Sequence, residues 1–282
     1  MKKHRILFYY REDTKGAKEW TKKIKSRILS KYKESTFIEA GDKTKPTAVI
    51  VLGGDGTIIE AIGKHQHSHP LFLCLNLGHV GFLASEREHE NFLKSVDKFF
   101  DGQYFISKRI MARVDLIRNK KTIVSGSIIN DVVIQNLVGV GEYTISIDDI
   151  EVQHIRGGGV LVSTATGSTA YNLSANGPLI MPEIKCFVVT ELFDHNTPTP
   201  SIVVKRNRNI SISIDSFRSK GTVMLAENKE PIDVALIIDG VVTTALKEGD
   251  VVRVKQSKKL VQLVSFDKEY FFKSLREKFS FY

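Results

Sequence analysis

The five residues Gly53-Gly54-Asp55-Gly56-Thr57 stand directly after the apolar run 48–52 and directly before the helix-like stretch 58–62. That layout reads as strand, tight loop, helix. Glycines let phosphate oxygens approach main-chain N–H groups, and a helix start adds partial positive charge, so Gly54 and Gly56 are candidates to cradle phosphates. The loop is neither a P-loop, which needs Gly-Lys-Ser/Thr, nor a G-x-G-x-x-G fingerprint. Its acid is the telling residue. A carboxylate repels phosphate, so Asp55 makes chemical sense if it takes a proton from an attacking hydroxyl. The plainer alternative is a glycine turn with Asp55 as helix N-cap.

Three further segments place small or polar residues where a simple core element would not. Residues 76–83, Asn-Leu-Gly-His-Val-Gly-Phe-Leu, follow an apolar run and carry two glycines; they read as a second functional turn or as an ordinary one with Phe82 in the core. Asn130-Asp131 interrupts an apolar stretch, where adjacent polar residues are expensive unless they pair or bind something, a bulge or turn pair being the other reading. Residues 164–171, Thr-Ala-Thr-Gly-Ser-Thr-Ala-Tyr, offer backbone donors and room beside a flat ring, with Tyr171 able to stack. A hydroxyl-rich capping loop would look similar.

Together and in this order, the four segments resemble the signature set of the NAD kinases, and the similarity runs from about Ile6 to Leu275-Arg276-Glu277-Lys278. GGDGT alone is shared with lipid kinases; the T-x-T-G-S-T-A-Y segment is far more specific. The resemblance implies transfer of the γ-phosphoryl of ATP to the adenosine-ribose 2′-hydroxyl of NAD, giving NADP and ADP. It implies Asp55 as the base and Phe82 lining the dinucleotide pocket. Asn130 and Asp131 would hold ribose and adenine. Contacts to NAD would come from Thr169, Ala170, Tyr171 and Ser174, with Asn172 and Leu173 in the same segment, and Arg156 would stand near its phosphates. A divalent metal, most plausibly Mg²⁺, would travel with ATP, since no His/Cys/carboxylate cage is visible. A homodimer or homotetramer is implied as well, with the active site between the two domains.

The chain departs from the family pattern at several places. Arg156-Gly157-Gly158-Gly159 puts Gly158 where the family has an acid that reaches the nicotinamide end. Ala165 stands for a usual proline, Asp194-His195 for Pro-His, and Asp239-Gly240-Val241 for Asp-Gly-Gln; His195 reads as structural. Two rival readings follow. A lipid kinase would need an acyl channel and no nucleotide pocket at 169–171, and a non-catalytic dinucleotide sensor would gain nothing from Asp55.

The elements that must position these residues form two patterns. Over the first hundred residues, the short apolar runs 6–10, 48–52 and 71–75 alternate with amphipathic stretches 14–33 and 86–100, as in a parallel sheet of Rossmann-like type covered by helices. From Met111 onward period-two runs dominate, at 112–117, 127–134, 143–147, 150–155, 210–214, 234–238, 251–254 and 260–264, with hairpin turns at Asp148-Asp149 and Lys120-Lys121. The expected architecture is an α/β domain over 1–105, an all-β domain of packed sheets over 106–265 that binds NAD, and a C-terminal helix over 266–282 returning to the first domain.

Composition is that of a soluble globular chain: 42% hydrophobic and 26% charged residues over 282 positions leave room for two cores. No apolar run approaches the ~20 residues of a transmembrane helix. Cys74 and Cys186 are isolated in apolar runs, which fits core packing and a reducing cytoplasm. The net charge of +9 owes +8 to residues 1–34, where twelve Lys/Arg face four Asp/Glu on and around one candidate helix. A solvated helix face explains this excess, and no zinc-finger spacing, RNP motif or basic-aromatic stripe points to nucleic acid.

Overall fold

In the first hundred residues the short apolar runs form strands of a parallel sheet, where helices on the faces let a strand keep its side chains dry on both sides. Ala48–Leu52 is the clearest case, with all five residues at 0% exposure. The computed structural model describes residues 4–39, 41–194, 199–219 and 231–279. It divides into two compact units, residues 1–109 with 259–282, and residues 110–258. Residues 259–265, expected with the all-β domain, group with the first unit.

The first unit opens with β1 (Arg5–Tyr9), α1 (Ala17–Lys31), β2 (Thr36–Ile38), β3 (Ala48–Leu52), α2 (Asp55–His65), β4 (Leu71–Leu75) and α3 (Phe92–Phe100). β5 (Phe105–Arg118) leads into the second unit. There follow β6 (Lys121–Ile128), β7 (Asp131–Asn136), β8 (Gly141–Ile147), β9 (Ile150–Gly157), β10 (Gly159–Thr164), α4 (Tyr171–Ser174), β11 (Cys186–Leu192), β12 (Ile202–Lys205), β13 (Ile210–Phe217), β14 (Val234–Ile238) and β15 (Val241–Leu246). β16 (Val251–Ser265) carries the chain back to the first unit, which also holds α5 (Tyr270–Phe279).

In the first unit β2, β1, β3 and β4 lie side by side, all parallel, and Gln262 and Leu263 of β16 continue the sheet beside Leu71 and Phe72. The order reverses direction between β1 and β3, so the loops after these two strands flank a switch-point crevice at the C-terminal edge. α1 and α3 pack on this sheet through Ala17, Ile24, Ile28, Phe92, Val96, Phe99 and Phe100. The helix expected over 86–100 begins only at Phe92, because Glu86 bridges to Leu75 and its carboxylate accepts the N–H groups of Arg87 and Glu88.

The second unit is antiparallel throughout. One sheet runs β12-β11-β10-β7-β14-β15, and in the other β13 pairs with β16 and β8, and β8 with β9. The expected strand 127–134 is two strands broken at Ile129-Asn130, and the two runs 251–254 and 260–264 are one strand. β10 and β11 are buried almost throughout and so show no alternation, which is why they escape a period-two reading. Asp148 and Asp149 take positive φ at their hairpin, as expected, whereas the other turn lies at Asn119-Lys120, one residue earlier than the expected Lys120-Lys121. Among the described residues no helix is long and apolar enough to cross a membrane.

Candidate active site

The first unit presents Asp55 at the head of α2. Gly54, not Asp55, is the N-cap, and it has an extended φ of −81°. Gly53 at φ 155° makes the turn that a side chain could not, since a methyl group there would stand 2.7 Å from Thr57 Oγ1. The Asp55 carboxylate turns away from its own helix. It accepts the Phe82 N–H at 2.8 Å and the Leu83 N–H at 3.3 Å, across 27 residues of sequence. Gly81 makes this approach possible, because a Cβ there would lie 2.2 Å from Asp55 Oδ1.

Burial pushes the Asp55 carboxyl up from its ordinary value; the two amides and the charges of Lys278 and Arg109 oppose that. The balance moves the group toward the range in which a general base works. Asn76 shapes the partner loop from within: its amide donates to His79 O and its Oδ1 accepts the Gly78 N–H, both at 2.8 Å. Phe82 is only 4% exposed, its ring set against Phe271 and beneath the Lys278 ammonium.

Arg11, in the loop after β1, is a residue the sequence reading missed. Its Nε bonds Glu60 at 2.8 Å, and a Cβ on Gly56 would meet its guanidinium at 3.8 Å. Glu60 also receives Lys64, and hydrogen bonds from Lys64, Tyr9 and Arg11 hold its carboxyl at about 2. A cation at the C-terminal edge of the first parallel strand, facing a glycine loop, was the available signal. Gly54 and Gly56 themselves lie on the accessible rim of the loop, with nothing within 4 Å of a Cβ on Gly54.

The second unit gathers Asn130, Asp131 and the segment 164–174. Asp239 organises them, and no sequence argument assigned it that task. Its carboxylate accepts the N–H groups of Ile129, Asn130 and Asp131 at 3.0, 2.8 and 3.1 Å. On the opposite side the Asn130 carbonyl accepts the Thr164 N–H at 2.8 Å, and Gly167 packs so closely that a Cβ would stand 2.3 Å from it. The polar pair is therefore a strand break, pinned from both sides. Asp131 is 5% exposed, and burial together with the neighbouring Asp239 lifts its carboxyl to about 7. Burial raises Asp239 too, against the three amides.

Along the following segment the side chains divide. Asn172 is fully buried and committed internally, donating to Pro178 O at 3.0 Å and accepting from Thr190 Oγ1 at 2.8 Å. Thr169 Oγ1 bonds back to Thr166 O. Ala170 and Leu173 are half-buried, while Tyr171 and Ser174 open on a cleft of about 560 Å³ whose far wall includes Leu192 and Phe193. Gly158 donates to Leu192 O at 2.7 Å beside that wall. Arg156 lies on the outer face of β9, 62% exposed, with Glu142 at 3.9 Å. His195 lies outside the described residues. Among the described residues no three His, Cys, Asp or Glu side chains come together as a metal cage.

Comparison with known proteins agrees over most of the chain. Residues 2–104 match the ATP-NAD kinase N-terminal domain and residues 129–266 the ATP-NAD kinase C-terminal domain. The NAD kinase of Caldicellulosiruptor saccharolyticus is 30% identical over 268 residues, covering 93% of this chain and 95% of its own. The NAD kinase of Clostridium kluyveri is 33% identical over 259 residues, covering 91% and 86%. In fold, the crystal structure of yeast NADH kinase complexed with NADH aligns at TM-score 0.85 and 18% identity, over 99% of this chain and 88% of that one. An NAD kinase from Archaeoglobus fulgidus in complex with ATP aligns at 0.72 and 20%, over 96% and 98%. With both domain matches in chain order and relatives at 30% identity or more along nearly the whole length, the chain belongs to the ATP-NAD kinase family.

Proposed function

We infer that this protein phosphorylates NAD at the adenosine-ribose 2′-hydroxyl, with ATP as donor, giving NADP and ADP. The observation that carries the reading beyond family membership is the orientation of Asp55. A capping acid would bond its own helix, whereas this one is held by two amides of a distant turn, with its helix start behind it. In the reaction the 2′-oxygen attacks the γ-phosphorus, the bond to the β,γ-bridging oxygen breaks, and the hydroxyl proton passes to Asp55.

Gly54 and Gly56 would receive the donor phosphates through N–H groups on the open rim of the loop. Mg²⁺ carried on those phosphates would neutralise charge as the bond breaks. Asn130 and Asp131 would hold ribose and adenine, and Thr169, Ala170, Tyr171 and Ser174 would line the acceptor pocket. Asn172 and Leu173 would support that pocket from beneath, in view of their burial, Phe82 would line the dinucleotide pocket as the resemblance implies, and Arg156 would attract the dinucleotide phosphates from the surface. The family resemblance brings with it a homodimeric or homotetrameric assembly and a cytoplasmic location.

The test follows NADP formation from NAD, ATP and Mg²⁺ in the wild type and Asp55→Asn. Loss of the base should slow turnover by about 10²–10⁴ while dinucleotide binding persists. A variant within a few-fold of wild type would make Asp55 a spacer and sink the assigned mechanism.

A further inference from the structure

One residue, Phe82, touches two charges at once. Its backbone N–H holds Asp55 Oδ2 at 2.8 Å, and its ring carries the Lys278 Nζ at 5.1 Å from the centroid. Both contacts lie within the first unit. Lys278 comes from α5, whose inner face repeats at helical spacing: Tyr270, Phe271, Ser274 and Lys278. Each of the first three has its own contact or burial. Tyr270 Oη donates to Gly81 O at 3.2 Å, Phe271 packs on the Phe82 ring at 5.7 Å, and Ser274 is fully buried. The last helix thus clamps the 81–83 turn whose amides hold the carboxylate.

A cation above an aromatic face is attracted by the ring. We propose that Lys278 is a positioning residue for the Asp55 base, its ammonium seated on Phe82 as the counter-charge that keeps the Asp55 carboxylate ionised. The proposal rests on the reading of Asp55 as the base. Lys278 is the leading charged group acting on Asp55, followed by Arg109 of β5; Tyr270 of α5 and Cys74 of β4 also face it and are neutral at ordinary pH, burial pushing both upward. Burial outweighs the two amides and the charges of Lys278 and Arg109 together, so loss of the Lys278 charge would leave the Asp55 carboxyl higher still.

The experiment labels aspartate carboxyl carbons with ¹³C in the full chain and follows Asp55, assigned by its absence in Asp55→Asn, against pH. Wild type, Lys278→Met and Lys278→Arg are compared without substrates. The Asp55 midpoint should rise by about one pH unit in Lys278→Met and stay near wild type in Lys278→Arg. The acid limb of kcat should move with it. Raising NaCl from about 0.05 to about 0.5 M should lift the wild-type midpoint toward that of the methionine variant, which should itself barely respond. An unmoved midpoint in a Lys278→Met protein that melts normally overturns the proposal, as does a raised KM for ATP with no change in the midpoint. If that variant melts early, the wild-type salt series decides, and a salt-independent midpoint overturns it. Near-normal turnover by Asp55→Asn would instead remove the base reading while leaving the midpoint measurements standing.

Discussion

Asp239 Oδ1 accepts the backbone N–H of Asn130 at 2.8 Å, joining residues 109 positions apart in sequence. With the bonds to Ile129 and Asp131, one carboxylate sets the conformation of the strand break that presents Asn130 and Asp131. Asp239→Ala leaves three donors without their acceptor and should destabilise the protein by roughly 3 kcal/mol in urea melts while raising KM for NAD. Asp239→Asn keeps one accepting oxygen, enough for Asn130 and Asp131 but not for Ile129, and should lose less. Equal losses in the two variants would show that charge, rather than the three acceptor bonds, is what matters there.

Asp131 predicts a pH-dependent stability. Its folded carboxyl titrates at about 7, raised from 3.8 by burial first and by Asp239 second. The folded chain therefore binds this proton more tightly than the unfolded chain. The resulting stabilisation is complete below pH 4 and is lost as pH rises toward 7. Asp131→Asn does not titrate, so between pH 4.5 and 8 its stability should gain on wild type by roughly 2–4 kcal/mol. Urea melts across that range check it, and a pH-independent difference would contradict the assignment.

Gly81 and Gly54 separate positioning from ligand approach. A Cβ at Gly81 would stand 2.2 Å from Asp55 Oδ1, so Gly81→Ala must displace the carboxylate and should lower kcat by about 10²-fold or more. At Gly54 a Cβ meets nothing within 4 Å and φ is −81°, so Gly54→Ala should fold and melt like wild type. Any rise in KM for ATP in that variant then reports the approach of phosphate to the loop. Calorimetric melts beside ATP-dependent kinetics distinguish the two glycines.

Tyr171→Ala and Asn130→Ala should act on the acceptor. Tyr171 opens on the 560 Å³ cleft of the second unit, and Asn130 belongs to the pinned break of the same unit. Both should raise KM for NAD about ten-fold, with a much smaller effect on KM for ATP. Equal changes for both substrates would assign these side chains to folding rather than to the pocket.

Gly158 stands where the family resemblance implies an acid. Its φ lies outside the left-handed region, and a Cβ would sit 3.1 Å from Leu192 O and 3.4 Å from Phe193 Cδ2, a tight fit that asks the wall to give slightly. Gly158→Asp should fold with a small drop in Tm and lower KM for NAD, by at most the roughly 1.5–3 kcal/mol of a hydrogen bond to a charged group, leaving ATP unchanged. A stable variant with unchanged NAD use would show that no acceptor contact is missing here.

The strand-loop-helix around GGDGT is legible without coordinates, because glycine permissiveness and a run of five apolar residues are local properties. So are the faces of α1 and α3, whose buried residues recur every three or four positions. The chemistry of Asp55 is also visible in one dimension, since a carboxylate in a phosphate loop needs a reason. What holds that carboxylate is not. Its partners are backbone amides 27 and 28 residues away, and a backbone N–H has no signature in sequence. The same applies to Asp239, whose three bonds reach 108 to 110 residues upstream, and to Lys278, whose contact with Phe82 exists only because β16 returns α5 to the first unit. Local composition decided which residues could do the chemistry; long-range folding decided which of them are aimed, because aim depends on groups that every residue carries and only the tertiary structure brings together.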